Sequence, residues 1–282
     1  MASTTERFVD VTCVIPTHGR PHFLESAVES VAAQSALPSR LVIVSDDVDP
    51  ESASFVASLS TSMVIDSQFV RREGVPGASA SRNRGAAEAT TEYLAFLDDD
   101  DLWTPDYLEA AMTVFEDRSV DAVVSSLYRF RDGSRLDESH PREGLNAEDV
   151  FRSSPTVTGS SLVIRREYFN KLGGYDPGLP VLNDTDFFLR FLSSGGTYAV
   201  IDSANVGVRK HSQGQLTDNS PRRIDGGWLF LKKHQADFPR AAARPRKYWQ
   251  YRMMWRSKGA SITVKAKALA GMAVNWSTAP NS

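Results

Sequence analysis

Residues 93–101 read Tyr-Leu-Ala-Phe-Leu-Asp-Asp-Asp-Asp, a short apolar run that passes directly into four aspartates. An apolar run of this length, bounded by polar residues, is typical of a buried strand. Three similar runs precede it, at residues 11–15, 41–44 and, more weakly, 63–70. Segments with helical spacing of apolar residues separate the runs. The alternation predicts an α/β fold: a Rossmann-like, mostly parallel sheet with helices on both faces.

Polar clusters follow three of these four predicted strands. Residues 17–20 (Thr-His-Gly-Arg) follow the first strand, Asp46 and Asp47 follow the second, and the aspartates at 98–101 follow the fourth. The carboxyl ends of parallel strands meet at one edge of a sheet, and α/β proteins bind their ligands there. We therefore expect the three clusters to converge on that edge.

The aspartates at 98–101 repel one another, so solvent or a cation must offset their charge. In an extended segment, residues two apart point the same way, which would direct Asp98 and Asp100 at one divalent cation or ligand hydroxyl. Mg²⁺ and Mn²⁺ suit a few carboxylates combined with phosphate oxygens. Asp101 fits better beside the N-terminus of the next helix, which we predict to begin with Thr104 as its cap.

Several motifs, taken in order, resemble the inverting family 2 glycosyltransferases of the GT-A fold over about residues 9–217. The motifs lie at residues 14–20, 42–47, 81–85, 96–103, 172–176, 183–186 with 189–190, and 208–211. Among them, 96–103 resembles the segment that carries the family's Asp-x-Asp motif. The resemblance implies a nucleotide-sugar donor, a divalent cation (Mn²⁺ or Mg²⁺) and transfer of the sugar to an acceptor hydroxyl with inversion.

On the donor side, the resemblance assigns side chains to the nucleotide and to the cation. They are Asp47 for the base with Asp46 as second choice, Thr17 and Arg20 for the nucleotide pocket, Arg82 for the base or diphosphate, Asp98 for the ribose, Asp100 for the metal, and His211 for the metal or the diphosphate. A turn-forming or surface role is the alternative for Asp46, Asp47, Arg82 and His211.

On the acceptor side, the resemblance makes Asp184 the general base. An acceptor hydroxyl is a poor nucleophile until a carboxylate removes its proton. The family usually has Glu-Asp where this chain has Asn183-Asp184. Asn183 cannot take a proton, so the role falls on Asp184 alone, with Asp186 as the fallback. Asp184 could also serve as a helix cap, which does not exclude catalysis.

The net charge of −3 over 282 residues is unevenly distributed. Residues 238–282 contain nine Lys or Arg and no acid, whereas the other 23 bases face 35 acids. We therefore expect a GT-A domain at 1–237, with a nucleotide-binding half at about 9–103 and an acceptor-binding half at about 104–237, followed by a basic helical tail. Aromatic residues among the tail's bases favour either membrane contact or packing on the acidic domain, and nucleic acid is not expected.

The single cysteine, Cys13, excludes an intrachain disulfide and indicates a reducing compartment. Residues 1–10 lack the apolar stretch of a secretory signal, and no apolar run reaches about 18 residues. These observations predict a cytoplasmic protein, with peripheral contact at the inner face of the membrane as the alternative that the tail suggests.

Two other functions fit the sequence less directly. A non-catalytic nucleotide-sugar-binding protein of the same fold would keep the donor site, and Asn183 is the one hint toward it. A sugar nucleotidyltransferase usually has a glycine-rich phosphate loop after the first strand, where this chain has Pro-Thr-His-Gly-Arg. By resemblance we expect a UDP-sugar donor, with GDP- and dTDP-sugars as alternatives. The expected acceptor is a saccharide or a lipid-linked molecule, in glycan, polysaccharide or glycoconjugate biosynthesis.

Overall fold

The computed structural model describes residues 7–62, 64–210, 220–257 and 259–276, without the side chains of 59–62. Three residues of the sequence predictions lie outside the described residues: Met63 of the weak third strand, the predicted ligand His211 and the tail base Lys258.

Strands and helices alternate through the first half of the chain. In order they are β1 (Phe8–Thr17), α1 (Pro21–Ala32), β2 (Leu37–Ser45), α2 (Pro50–Ser62), β3 (Asp66–Arg71), α3 (Ala78–Ala87), β4 (Tyr93–Phe96), β5 (Leu102–Trp103) and α4 (Tyr107–Asp117). The later elements are β6 (Ala122–Arg131), β7 (Ser134–Ser139), α5 (Ala147–Arg152), β8 (Leu162–Arg165), α6 (Arg166–Lys171), α7 (Asn183–Ser193), β9 (Tyr198–Arg209), α8 (Pro221–His234), α9 (Ala243–Arg256) and α10 (Ile262–Asn275).

The described strands form one sheet in the order β3-β2-β1-β4-β8-β6-β9-β5, with β7 paired to β6. The four strands β3, β2, β1 and β4 are mutually parallel, and β9 is parallel to β6. Strands β5, β7 and β8 are antiparallel to their neighbours. The predicted mixed α/β fold with a mostly parallel sheet is confirmed. The carboxyl ends of β1, β2 and β4 share one edge, which brings their polar clusters to the same side.

Helices cover both faces of the sheet. Successive side chains of β1 point to opposite faces and contact different helices. Cys13 lies in one apolar core with Leu24 of α1 and Leu108 of α4. Val14 faces the other way, beneath α3. Gly85 permits that close approach, since a Cβ on Gly85 would lie 2.3 Å from Val14 Cγ1.

Two local predictions around the aspartates are wrong. Residues 98–101 form a turn rather than an extended segment, because the Asp101 amide donates a hydrogen bond to the Asp98 carbonyl at 3.0 Å. The next helix starts at Tyr107, two residues beyond the predicted Thr-Pro start. Asp106 occupies the N-cap position without a side-chain cap hydrogen bond, and its carboxylate accepts from the Thr104 hydroxyl at 2.6 Å.

The chain forms two compact units whose segments interleave along the sequence. The first unit comprises Met1–Gly144, Thr156–Tyr175 and Gly195–Lys210, and it contains the whole sheet. The second comprises Leu145–Pro155, Asp176–Ser194 and His211–Ser282, and its described elements are helices. The basic residues of α9 and α10 thus belong to a unit that also contains α5, α7 and α8. The division at residue 237 stays a prediction.

The described C-terminal residues are helical, as expected for the tail, and α9 packs within its unit. The Arg246 guanidinium donates to the carbonyls of Val150 and Phe151 at 2.8 Å each, and so caps the C-terminus of α5. None of the described helices combines the length and apolarity needed to cross a bilayer.

Candidate functional site

The aspartate turn brings three carboxylates together at the edge where β1, β2 and β4 end. One carboxylate oxygen each from Asp98, Asp100 and Asp101 lies within 4.8 Å of the other two. Asp98 and Asp100 therefore converge as expected, although through a turn. Asp101, which the sequence favoured for the next helix, joins them instead. Such a set of hard oxygen donors fits Mg²⁺ or Mn²⁺.

Asp101 is buried, and two donors hold its carboxylate. Ser160 Oγ donates to Asp101 Oδ2 at 2.7 Å, and the Arg209 amide donates to Oδ1 at 3.2 Å. Burial raises the pKa of Asp101 well above its usual range, and the charges of Asp100 and Asp98 raise it further. Ser160 also accepts a hydrogen bond from the Asp98 amide at 3.1 Å, so one hydroxyl ties both ends of the turn.

Asp99 points away from this cluster and is 1% exposed. Thr17 Oγ1 donates to it at 2.8 Å, and Arg20 Nε donates to the same oxygen at 3.2 Å. Burial raises the pKa of Asp99 to about 7, although the Arg20 guanidinium opposes the rise. The end of β1 is thereby joined to the aspartate turn through two residues predicted for the nucleotide pocket.

Two arginines contact the outward carboxylates of the turn. Arg20 Nη1 donates to Asp100 at 3.1 Å, and Arg82 Nη2 donates to Asp98 at 2.5 Å. Burial would lower the pKa of Arg20, but the surrounding aspartates raise it overall. Arg82 is buried on α3, and its guanidinium lies 5.1 Å from the centre of the Tyr175 ring. Thr17, Arg20, Arg82, Asp98 and Asp100 therefore form one connected group.

The two aspartates after β2 differ in their surroundings. The buried Asp46 carboxylate accepts a hydrogen bond from the Gly77 amide at 2.6 Å and lies 2.7 Å from His18 Nδ1. Asp47 is exposed, with one oxygen on the Val48 amide at 2.7 Å. Asp46 thus organises the loop before α3, whereas Asp47 is accessible to a ligand.

In the second unit, Asp184 is the second residue of α7 and is partly exposed. Its amide donates to Asn183 Oδ1 at 2.8 Å, so Asn183 supports the first turn of the helix. The preceding residue, Leu182, has a left-handed backbone with φ of 59°. That conformation is uncommon outside glycine and often occurs next to functional sites.

Asp186, the fallback base, is fully buried in an ion network. Its carboxylate lies 2.7 Å from His234 Nε2 and 2.6 Å from Lys233 Nζ, and it accepts from Arg190 Nε at 2.9 Å. Burial opposes ionisation, but hydrogen bonds from His234 and Lys233, helped by Arg190, lower the pKa of Asp186 to about 2. Of the two carboxylates, Asp184 is the partly exposed one, although its Oδ1 is buried.

Four contributors to these sites were missed from the sequence: Ser160, Arg209, Lys233 and His234. Ser160 and Arg209 lie 59 and 108 residues from Asp101. His234 lies 48 residues beyond Asp186, and Lys233 directly precedes it. Arg209 lies in the motif at 208–211, but no local pattern indicates that any of the four contacts an aspartate, since only the fold brings them together.

Comparison with known proteins agrees with this geometry. A family model described as Glycosyl transferase family 2 matches residues 12–173, more than half of the chain. A protein of Escherichia coli K12, whose name proposes a role in colanic acid biosynthesis as glycosyl transferase WcaA, is 22% identical over 268 residues. That match covers 90% of this chain and 94% of the relative.

Two solved structures share the fold. Staphylococcus aureus TarS 1–349 in complex with UDP-GlcNAc has a TM-score of 0.62 at 14% identity, covering 95% of this chain and 89% of TarS. The mannosyltransferase PcManGT of Pyrobaculum calidifontis, in complex with GDP-Man and Mn²⁺, has a TM-score of 0.65 at 16% identity, covering 96% and 76%. The GT-A fold implied by the motifs is confirmed.

Replacing Asp186 by Asn should reduce the pH dependence of the free energy of unfolding at acid pH. Its folded-state pKa of about 2 lies below the unfolded value of 3.8. Ionised Asp186 therefore stabilises the fold above the unfolded pKa, and this contribution, about 2 kcal/mol, is lost as the pH falls through about 2. Urea unfolding of the full chain between about pH 2 and 5 should show the loss in wild type and not in Asp186→Asn.

Asp225→Asn provides the matched control, because Asp225 is an exposed aspartate of the same unit. The free energy of unfolding of Asp225→Asn should depend on pH as that of the wild type does. An identical slope in all three proteins would contradict a stabilising ion network around Asp186.

Proposed function

The chain belongs to glycosyltransferase family 2, and from this membership we propose that it moves a sugar from a nucleotide-sugar, with UDP-sugars favoured, to an acceptor hydroxyl. The transfer inverts the anomeric centre and depends on a divalent cation. The acceptor is a saccharide or a lipid-linked molecule in polysaccharide, glycan or glycoconjugate biosynthesis. The WcaA likeness and the nucleotide-sugars bound to TarS and PcManGT support this class of reaction.

The convergence of Asp98, Asp100 and Asp101 at the ligand-binding edge carries the proposal. The three groups are oxygen donors, and Asp98 and Asp100 are only partly buried, so a ligand can reach them. Asp100, helped by Asp101, would hold Mn²⁺ or Mg²⁺. A cation at this position would offset the charge that develops on the departing diphosphate.

The chain's own donor-side groups would bind and orient the nucleotide. Asp47, exposed beside the turn after β1, would accept hydrogen bonds from the base. Asp98 would accept from the ribose hydroxyls, with Arg82 keeping its carboxylate in position. Arg20 and Thr17 would line the pocket while fixing the aspartate turn. His211 stays a predicted further contact to the metal or the diphosphate.

Asp184 would act as the general base on the acceptor side. It is the partly exposed carboxylate at the start of α7, whereas Asp186 is fully buried against Arg190, Lys233 and His234. Proton removal by a positioned carboxylate makes the acceptor hydroxyl nucleophilic as it attacks opposite the leaving group. Asn183, which supports the helix turn, does not take part in the proton transfer.

Three measurements separate sugar transfer from the two alternative functions. Release of nucleoside diphosphate from a panel of donors, with and without Mn²⁺ and with mixed acceptors, would support transfer. Binding of donors without release would favour a non-catalytic nucleotide-sugar-binding protein. Formation of a nucleotide-sugar from a nucleoside triphosphate and a sugar phosphate would favour a sugar nucleotidyltransferase.

Asp100→Ala should abolish Mn²⁺-dependent diphosphate release while the fold survives. Removal of this carboxylate weakens the cation site, and we expect a loss of roughly 100-fold or more. Circular dichroism and a release assay measure both properties. Asp117→Ala, at an exposed aspartate of α4, should keep wild-type rates. Undiminished metal dependence in Asp100→Ala would remove this residue from the site.

Asp184→Asn should remove sugar transfer and spare donor binding. The amide cannot accept the acceptor's proton, so a loss of roughly 10²–10⁴-fold in kcat is expected, with the donor Kd nearly unchanged. Steady-state kinetics and donor calorimetry give the two readouts. Asp225→Asn should behave as wild type. If Asp184→Asn keeps most of its activity, the base is misassigned.

The C-terminal helix α10 would place the protein on an anionic membrane surface, consistent with a cytoplasmic, peripheral location. Lys265 and Lys267 share this helix with the exposed apolar residues Leu269 and Val274, and the exposed Trp276 follows its last residue. A helix that offers both cations and apolar side chains suits the headgroup region of a bilayer. Contact there would bring the enzyme to lipid-linked acceptors.

A Lys265→Glu, Lys267→Glu double variant should lose binding to anionic vesicles. Each base near an anionic surface contributes about 1 kcal/mol, so charge reversal of two should lower the partition constant by more than tenfold. Vesicle co-sedimentation of the full chain measures it. Lys232→Glu, at an exposed residue of α8, is the control. Point variants are preferable to truncation, because α9 is integral to its unit. Unaltered vesicle binding by the double variant would refute this role for α10.

A further inference from the structure

A cavity lies within the helical unit. It has a volume of about 340 Å³ and is bounded by α8, α9, the segment after α5 and the residue before α7. This volume is in the range of small-molecule sites. Three arginines line it, one each from α5, α8 and α9: Arg152, Arg223 and Arg246. No carboxylate occurs among the described residues that line the cavity.

Arg246 is a buried cation whose guanidinium is held by several hydrogen bonds. It is 5% exposed, and it donates to two carbonyls of α5 and to Ser154 Oγ at 3.3 Å. Its guanidinium also lies 4.5 Å from the centre of the Phe230 ring. Burial lowers the pKa of Arg246 to about 10, which still leaves it charged near neutral pH. The carbonyl dipoles fix this charge beside the cavity without neutralising it.

Gln250 supplies a polar group that the described protein atoms do not satisfy. Its side chain is 3% exposed and lines the cavity, and its Oε1 accepts no hydrogen bond from the described residues. The amide is held in place by Gly227, where a Cβ would lie 1.9 Å from Gln250 Nε2. The Oε1 atom has almost no accessible surface, so Gln250 makes the wall polar without offering this atom to a ligand.

The cavity adjoins the acceptor side of the proposed chemistry. Leu182, which lines it, has the left-handed backbone and precedes Asn183 and the proposed base Asp184. Trp249 adds an aromatic side chain to the wall. Aromatic side chains and guanidinium groups together are well suited to sugar rings or polyols that carry an anionic group.

We propose that this cavity binds a phosphate group of the acceptor. The role of this phosphate in sugar transfer rests on the proposed function, whereas its binding rests on the cavity alone. Arg223 and Arg152 contact the phosphate, and Arg246 adds fixed positive charge. Arg152 also pairs with Glu148 at 2.6 Å at the edge of the cavity.

Calorimetric titration of the full chain in EDTA tests the proposal. The probes are glycerol 3-phosphate, for a phosphorylated polyol or saccharide, and farnesyl pyrophosphate, for a lipid-linked acceptor. Glycerol and farnesol are the uncharged controls. We expect at least one phosphate-bearing probe to bind and its uncharged counterpart to bind at least tenfold more weakly. The probe that binds more tightly identifies the source of the phosphate.

Arg223→Gln should weaken binding of that probe at least tenfold. Arg222→Gln, which removes the same charge from the neighbouring exposed position of α8, should stay within about twofold of wild type. Failure of both probes to bind overturns the proposal. Equal losses in Arg222→Gln and Arg223→Gln, or no loss in Arg223→Gln, overturn it as well, because the phosphate then binds elsewhere.

A second pair keeps the test decisive if Arg223→Gln does not fold. Arg152→Gln should also weaken the probe, and Arg240→Gln, at an exposed arginine of the same unit, should not. The titration involves no sugar transfer. A protein that binds the probes but transfers no sugar contradicts the proposed function alone, whereas one that transfers sugar and binds neither probe contradicts this inference alone.

Discussion

Repulsion among four carboxylates in one turn is the constraint on which the rest of the first unit depends. Adjacent like charges oppose folding unless donors, cations or burial reduce them. The partners come from four separate elements: β1 and the following loop, α3, the turn before β8, and the end of β9. The contacts that hold the aspartate turn therefore form only when these elements of the sheet and its helices have come together.

The turn divides its four carboxylates by burial. Asp99 and Asp101 are enclosed, and burial raises their pKa values, which lowers the charge they carry near neutral pH. Asp98 and Asp100 stay partly exposed and are each paired to an arginine. Four identical residues thus differ in burial and in partners through their surroundings alone.

Local signals made much of this architecture predictable. Apolar runs, helical spacing and polar strand ends are properties of short segments, so the first four strands and the edge they share could be read from the sequence. The aspartate turn could not, because its conformation depends on Ser160 and on the pairing of β5 with β9. Thr104 resembled a helix cap, yet its hydroxyl contacts Asp106 instead. Arg246 resembled one base of the basic tail, and no sequence pattern shows that it caps α5.

The contact between Arg246 and α5 spans 95 residues of sequence. During synthesis on the ribosome, α5 emerges long before the arginine that caps its carbonyls. At about 5–20 residues per second, that wait is roughly 5–20 s. The helical unit can therefore close only after translation of α9, and until then the last carbonyls of α5 lack this cap.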